Sequence, residues 1–219
     1  MRIKFDEQLR TLNNEMISMG NMIQKAIQDT IDAFFSQNTV KARMIMKDDE
    51  LVDREQKLIE NICFQLLIQQ QPVAKDLRTV TAAMKMVTDM ERIGDHAADI
   101  AELTIVMSKS PFILNVEQVR RMSAETIVML LSAVQAYVER DMEKAREVID
   151  HDDVVDALFT EVKANLIKMM QNNPNNAEYA ADLLMVSKYL ERIGDHATNI
   201  AEWVIFSCSP ENPQKNKDD

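Results

Sequence analysis

Seven residues occur twice in this chain, as Glu91-Arg92-Ile93-Gly94-Asp95-His96-Ala97 and as Glu191-Arg192-Ile193-Gly194-Asp195-His196-Ala197, at an offset of 100. Both copies run on through Ile100-Ala101-Glu102 and Ile200-Ala201-Glu202. A pattern written twice asks for the same packing twice, so the chain is expected to fold as two equivalent halves. Each copy lies inside a long apolar-periodic segment. Glu91 and Asp95, like Glu191 and Asp195, therefore sit one turn apart on one helix face.

The segments around these copies are helical throughout. Three glycines and five prolines in 219 residues leave few turns, and Met, Leu, Ile, Ala, Glu and Lys dominate, a composition that suits helices. From Asp6 to Gln37, Leu9, Leu12, Met16, Met19, Ile23, Ile27, Ile31 and Phe34 recur at three- and four-residue steps. The break Ser36-Gln37-Asn38-Thr39, with Asn38 or Thr39 as cap, opens a second helix over 40–70, which Pro72 stops. A third starts near 74–76 and carries Val80, Ala83, Val87, Met90, Gly94, Ala98, Ala101 and Ile105 on one stripe. It ends near Ser108, and Ser110-Pro111 links the halves.

The second half repeats the plan. Val116 to Arg140 matches the first helix, and Lys144-Ala145-Arg146 matches Lys41-Ala42-Arg43 at an offset of 103. At that same offset Asp152-Asp153-Val154-Val155-Asp156 matches Asp49-Glu50-Leu51-Val52-Asp53. A loop over 172–176 replaces the turn at Pro72, and a sixth helix runs from about Ala177 to Ser207. The expected fold is all-α: two tandem three-helix bundles over 1–110 and 116–208, elongated, with a polar, disordered tail over 209–219.

The net charge of −11 argues against nucleic-acid binding, which needs clustered positive charge. It suits cations or a basic protein partner. The first nine residues carry charges and no apolar signal core, and no apolar run approaches the length of a membrane span. Cys63 and Cys208 lack CxxC spacing and are expected as free thiols. These features describe a cytoplasmic protein with no membrane insertion.

Antiparallel helices joined by a short turn set residues equidistant from that turn side by side. With the first turn near 72, Asp53 is level with Glu91 and Asp49 with Asp95; with the second between 173 and 174, Asp156 is level with Glu191 and Asp152 with Asp195. Level carboxylates repel strongly unless cations or guanidinium groups neutralise them. Carboxylate oxygens suit Mg²⁺, Mn²⁺, Ca²⁺ or iron. Asp49, Asp53, Glu91, Asp95, Asp152, Asp156, Glu191 and Asp195 are thus the candidate metal ligands. Asp99 extends the first face as an outer ligand, with Asn199 its counterpart in the second. The competing reading is a solvated face on which Arg92, Arg192 and Lys57 pair along the helices. The duplicated register argues against it.

Gly94 and Gly194 each cost about 1 kcal/mol inside a helix relative to alanine, which points to close helix approach beside the acidic face, with a hinge as the alternative. His96 and His196 adjoin that face without metal-ligand spacing and are expected to be helix-surface or interhelix hydrogen-bonding residues rather than ligands. The sixteen methionines, Met84, Met86, Met90, Met169 and Met170 among them, read as flexible core filler. No histidine has Glu three residues before it, so a ferritin-like di-iron oxidase is disfavoured. No GxGxxG, phosphate loop, GxSxG or zinc-protease motif occurs, and the chain is expected to be no enzyme.

These residues resemble the PhoU family of regulators of bacterial phosphate uptake. The likeness spans two three-helix repeats, the segment Pro72-Val73-Ala74-Lys75-Asp76-Leu77-Arg78 and the twin Glu-Arg-Ile-Gly-Asp-His blocks. The family's metal signature, Glu or Asp followed after three residues by Asp, maps onto Asp49/Asp53, Glu91/Asp95, Asp152/Asp156 and Glu191/Asp195. The resemblance implies a cytoplasmic homodimer that represses phosphate import and phosphate-starvation signalling through the importer's ATPase and a sensor histidine kinase. It also implies carboxylates of a kind that hold iron or zinc clusters in some members of the family and no metal in others. The expected function is that of a metal-binding, non-enzymatic adaptor. The alternative is a metal-free helical adaptor whose acidic face binds basic partner surfaces. The Pro72 segment has no counterpart ahead of the sixth helix, which opens on Asn175-Asn176-Ala177-Glu178.

Overall fold

The structure, a computed structural model, describes residues 2–70, 74–109 and 117–209. They form six helices: α1 (Arg2–Ser36), α2 (Thr39–Gln70), α3 (Ala74–Met107), α4 (Glu117–Glu139), α5 (Met142–Asn172) and α6 (Ala177–Cys208). The expected turn at Pro72, the Ser110-Pro111 link, the start of the fourth helix at Val116 and the tail beyond Ser209 lie outside the described residues. The all-α expectation of two tandem three-helix repeats is met. Helix α1 starts at Arg2 rather than Asp6, because Phe5 is buried and extends the apolar stripe by one turn.

The repeat reaches into the turns. Gln37 and Arg140, equivalent at the offset of 103, both take left-handed backbone conformations, with φ of 51° and 56°. Around each, the end of the helix closes in the same way. Asn38 N–H donates to Ala33 O at 2.9 Å and Asp141 N–H to Ala136 O at 3.0 Å, satisfying carbonyls that have no partner within the helix. Asn38 Oδ1 then accepts from Lys41 N and Asp141 Oδ1 from Glu143 N and Lys144 N, capping α2 and α5. Ahead of α6 the expected loop is a single 3₁₀ turn over Pro174–Asn176, where Asn173 Oδ1 accepts from Asn175 N at 3.1 Å.

Within each repeat, consecutive helices run antiparallel and all three touch. The repeats meet along α3 and α6 and along α1 and α4, so these four helices form the centre, with α2 and α5 packed outside. One cluster of buried apolar side chains spans both repeats, from Leu12 and Met16 through Met86 and Ile93 to Leu190 and Ile193. Helix α3 touches α1, α2 and α6 and therefore buries more than the single expected stripe. Met86, Ile93, Ala97 and Ile100 are buried as well, while Ala98 is only half-buried. Arg78, near the start of α3, donates from Nη2 and Nε to Phe206 O at 2.7 and 3.1 Å and stacks 4.3 Å over the Phe206 ring, tying α3 to the end of α6.

Candidate metal centre

Helices α2 and α3 approach closely enough beside Gly94 that a Cβ there would stand 3.1 Å from Val52 Cγ1 and 3.2 Å from Asp49 Oδ1. The glycine thus makes room for the Asp49 carboxylate against the backbone of α3, one residue from Asp95. Gly194 is less crowded: an added Cβ would lie 3.4 Å from Asp152 Oδ1 and 3.5 Å from Val155 Cγ1, ordinary contact. The expectation of close approach is met at Gly94, while at Gly194 the helices leave room for a methyl group.

The first site assembles as the register requires. One oxygen from each of Asp53, Glu91 and Asp95 lies within 4.8 Å of the others, all half-buried; among the described residues, no other three His, Cys, Asp or Glu side chains meet so closely. Asp49 stands beside them. Burial first, then the charges of Asp95, Asp53, Glu91 and Asp99, push its carboxyl up to about 6. Burial and Asp95 also raise Glu91. One guanidinium sits at the rim: Arg92, 57% exposed, reaches Asp95 Oδ2 at 3.0 Å and Glu91 Oε2 at 3.6 Å. It leaves most of the negative charge uncompensated. Such a set of hard, half-buried oxygen donors on two rigid helices fits a divalent or trivalent cation.

The second site keeps the residues but not the arrangement. Burial, Asp156 and Asp195 push Asp152 up to about 6, and burial with Glu191 raises Asp195, so the carboxylates are again near one another. Glu191, however, is held by Lys188, whose ammonium donates to both of its oxygens and lies 5.4 Å from the Phe159 ring centroid. Sequence reasoning passed over Lys188 and Phe159. The signal was present, since the equivalent positions in the first repeat are Thr88 and Gln56.

His96 and His196 meet on the seam between α3 and α6, their ring centroids 5.6 Å apart. His196 Nδ1 lies 2.9 Å from Asp89 Oδ1, which also accepts from Asn199 Nδ2 at 3.0 Å. The other half of the seam pairs His96 with Tyr189, ring to ring at 5.4 Å, and sets His96 Nδ1 3.5 Å from Asp99 Oδ2. His196 hydrogen-bonds across the seam, whereas His96 touches α6 through ring contacts and sets its Nδ1 against Asp99 of its own helix. The two outer candidates part company here: Asp99 adds its charge to the first site, whereas the Asn199 amide nitrogen is engaged across the seam. His151, at 2.8 Å from Glu125, is a further pairing that the spacing did not signal.

With this geometry in place, comparison with known proteins adds lineage. A family model described as the PhoU domain matches residues 16–104 and 119–204, one match to each repeat. A relative from Clostridium acetobutylicum, named as a phosphate-specific transport system accessory protein PhoU homolog, is 38% identical over 203 residues, 92% of this chain and 93% of its own. One from Rhizobium meliloti with the same name is 30% identical, covering 98% and 92%. The crystal structure of PhoU from Pseudomonas aeruginosa superposes with a TM-score of 0.90 at 28% identity, covering 93% of this chain and 98% of that one. The phosphate transport system regulatory protein PhoU from Streptococcus pneumoniae superposes at 0.87 and 26%, covering 94% and 98%.

Proposed function

The chain belongs to the PhoU family, and from that premise we propose that it is a cytoplasmic, non-enzymatic accessory regulator that restrains phosphate uptake and phosphate-starvation signalling and carries metal ions at its carboxylates. The regulatory half is supported by the names of similar proteins, accessory to the phosphate-specific transport system in C. acetobutylicum and R. meliloti. Its partners on this reading are the importer's ATPase and a sensor histidine kinase. Among the described residues no helix is long and apolar enough to cross a membrane, which suits a protein that acts on membrane machinery from outside the bilayer.

The metal-binding half is carried by one observation: Asp53, Glu91 and Asp95 converge within 4.8 Å although burial makes their repulsion worse. When bound, a cation at such a site supplies the positive charge that the fold leaves out, and its open positions can accept phosphate oxygens. Iron, zinc, manganese, magnesium and calcium all remain within the chemistry of the donor set. The chain's own residues do the positioning. Gly94 admits Asp49, the long helices fix the carboxylates, and Arg92 guards the rim.

The assembly proposed is a homodimer. Helix α2 turns Val40, Met44, Leu51 and Leu58 outward, 69%, 60%, 47% and 44% exposed, and at 100° per residue they fall on one narrow stripe. An antiparallel second copy centred on Leu51 would set Met44 against the partner's Leu58.

A bacterium that lacks its own member of the family, complemented with this chain, tests the proposal. In phosphate-rich medium the wild-type chain should bring phosphate uptake down, and Asp53→Asn/Asp95→Asn should fail to do so. Uptake left high by the wild-type chain overturns the regulatory role. Full repression by the double variant, with its purified metal content equal to that of the wild type, overturns the metal role and favours an acidic face that binds basic partner surfaces directly.

A further inference from the structure

An ammonium group sets the second carboxylate site apart from the first. In the second repeat Lys188 lies one turn before Glu191 on α6 and donates to both of its oxygens. Its side chain is 37% exposed and that of Glu191 13%, so the pair is more sheltered than an ordinary surface ion pair. The ammonium also lies 5.4 Å from the ring centroid of Phe159 on α5, the helix that supplies Asp152 and Asp156. Lys188 is thus held from two helices.

The first repeat has neither part. Thr88 stands at the position of Lys188 and bonds only back to Met84 O of its own helix, at 3.3 Å, and Gln56 stands at the position of Phe159. There the three carboxylates Asp53, Glu91 and Asp95 meet, with Arg92 at the exposed rim the cation that pairs with them among the described residues. The paired substitution, a cation and the ring that seats it, separates two halves that share the same four carboxylate positions.

We propose that Lys188 is a built-in counter-cation that grades the two sites. The first site takes a metal ion directly, and the second takes one only when the Lys188 ammonium gives up Glu191. A metal ion and the ammonium compete for the same oxygens, so at the second site every bound cation must displace a charge the chain already supplies. This rests on the metal-binding reading above.

Manganese titration of the chelator-treated full-length chain, followed by calorimetry, tests it. Two classes of site are expected, the tight one lost in Asp95→Asn and the weak one lost in Asp195→Asn. In the Asp95→Asn background, Lys188→Thr should tighten the remaining class by about tenfold or more, and Lys188→Met, which keeps an unbranched side chain of similar length without the charge, should do the same. Thr88→Lys should weaken the tight class in the Asp195→Asn background. If the wild type shows two classes but neither Lys188 variant changes the weak one, the counter-cation role is overturned while metal binding stands. If no variant and no wild-type chain binds manganese, the metal reading fails and the grading fails with it.

Discussion

The three glycines should give three different results when replaced by alanine. All lie within helices, so each replacement gains about 1 kcal/mol of intrinsic helix propensity, and what the new methyl meets decides how much survives. At Gly194 it would stand 3.4 Å from Asp152 Oδ1 and 3.5 Å from Val155 Cγ1, ordinary contact, so Gly194→Ala should stabilise the chain by about 0.5–1 kcal/mol. At Gly94 it would stand 3.1 Å from Val52 Cγ1 and 3.2 Å from Asp49 Oδ1. Both must shift by a few tenths of an ångström, which offsets the gain and moves Asp49 off the cluster. At Gly20 it would meet Val134 Cγ1 at 2.8 Å and Cγ2 at 3.3 Å, and a β-branched side chain has no free rotamer with which to clear both methyls. Overpacking of that kind costs about 1–3 kcal/mol, leaving Gly20→Ala destabilised by about 0–2 kcal/mol net. Thermal unfolding in chelator reads the series, since 1 kcal/mol shifts Tm by about 2–4 °C in a chain of this size. Gly194→Ala should melt highest, Gly94→Ala near the wild type and Gly20→Ala lowest. A Gly194→Ala chain melting below the wild type, or a Gly20→Ala chain melting above Gly94→Ala, refutes the reasoning.

The carboxylates set a pH dependence of known sign. Asp49 and Asp152 are raised from 3.8 to about 6 in the folded chain, so the folded state holds the extra protons, and these groups' contribution is full below 3.8 and lost as the pH rises through 6. Chemical denaturation of metal-free protein should therefore show Asp49→Asn gaining more on the wild type at neutral pH than at about pH 4; an equal gain at both removes the explanation. Cys63 is fully buried, and burial followed by the charge of Glu60 pushes its thiol up to about 12, whereas Cys208 is partly exposed. A thiol reagent should label Cys208 alone in the native chain and both cysteines after unfolding, and rapid native labelling of Cys63 would contradict its burial. On the proposed dimer, the wild-type chain should sediment as a dimer and Leu51→Glu, placed at the centre of the exposed α2 stripe, as a monomer without loss of helicity; a dimer unchanged by the substitution puts the interface elsewhere.

What could be read from the sequence follows from where the information is local. The three- and four-residue apolar steps of α1 place Leu12, Met16, Met19, Ile23 and Ile27 in the core because each sees one turn of its own helix. The acidic register could be read for a related reason: a short turn fixes the pairing of two antiparallel helices, so counting from position 72 sets Asp53 beside Glu91 although the turn itself lies outside the described residues. Contacts between the repeats have no such counting rule. Nothing local says that α3 meets α6, and so the extra burial of Met86 and Ile93, the Asp89–His196 pair and the commitment of Asn199 to the seam emerge only in three dimensions.

The duplication also hides what makes the halves unequal. An alignment of the repeats draws the eye to identical residues, yet identical carboxylates yield a three-carboxylate cluster in one half and a lysine-held glutamate in the other. Charge is the reason. Four acids on facing helices are costly wherever they occur, and a fold can relieve the cost with a cation from solvent or with one of its own. The first repeat, with Thr88, leaves the choice to solvent; the second, with Lys188 seated by Phe159, has made it internally. Because α3 and α6 pack against each other through Asp89, His96, Tyr189 and His196, a change in charge at the first site borders directly on the helix that carries the second. If both sites take cations as proposed, two of unequal affinity on adjoining central helices would report two different ranges of cation supply, which two identical sites could not do unless binding at one weakened binding at the other.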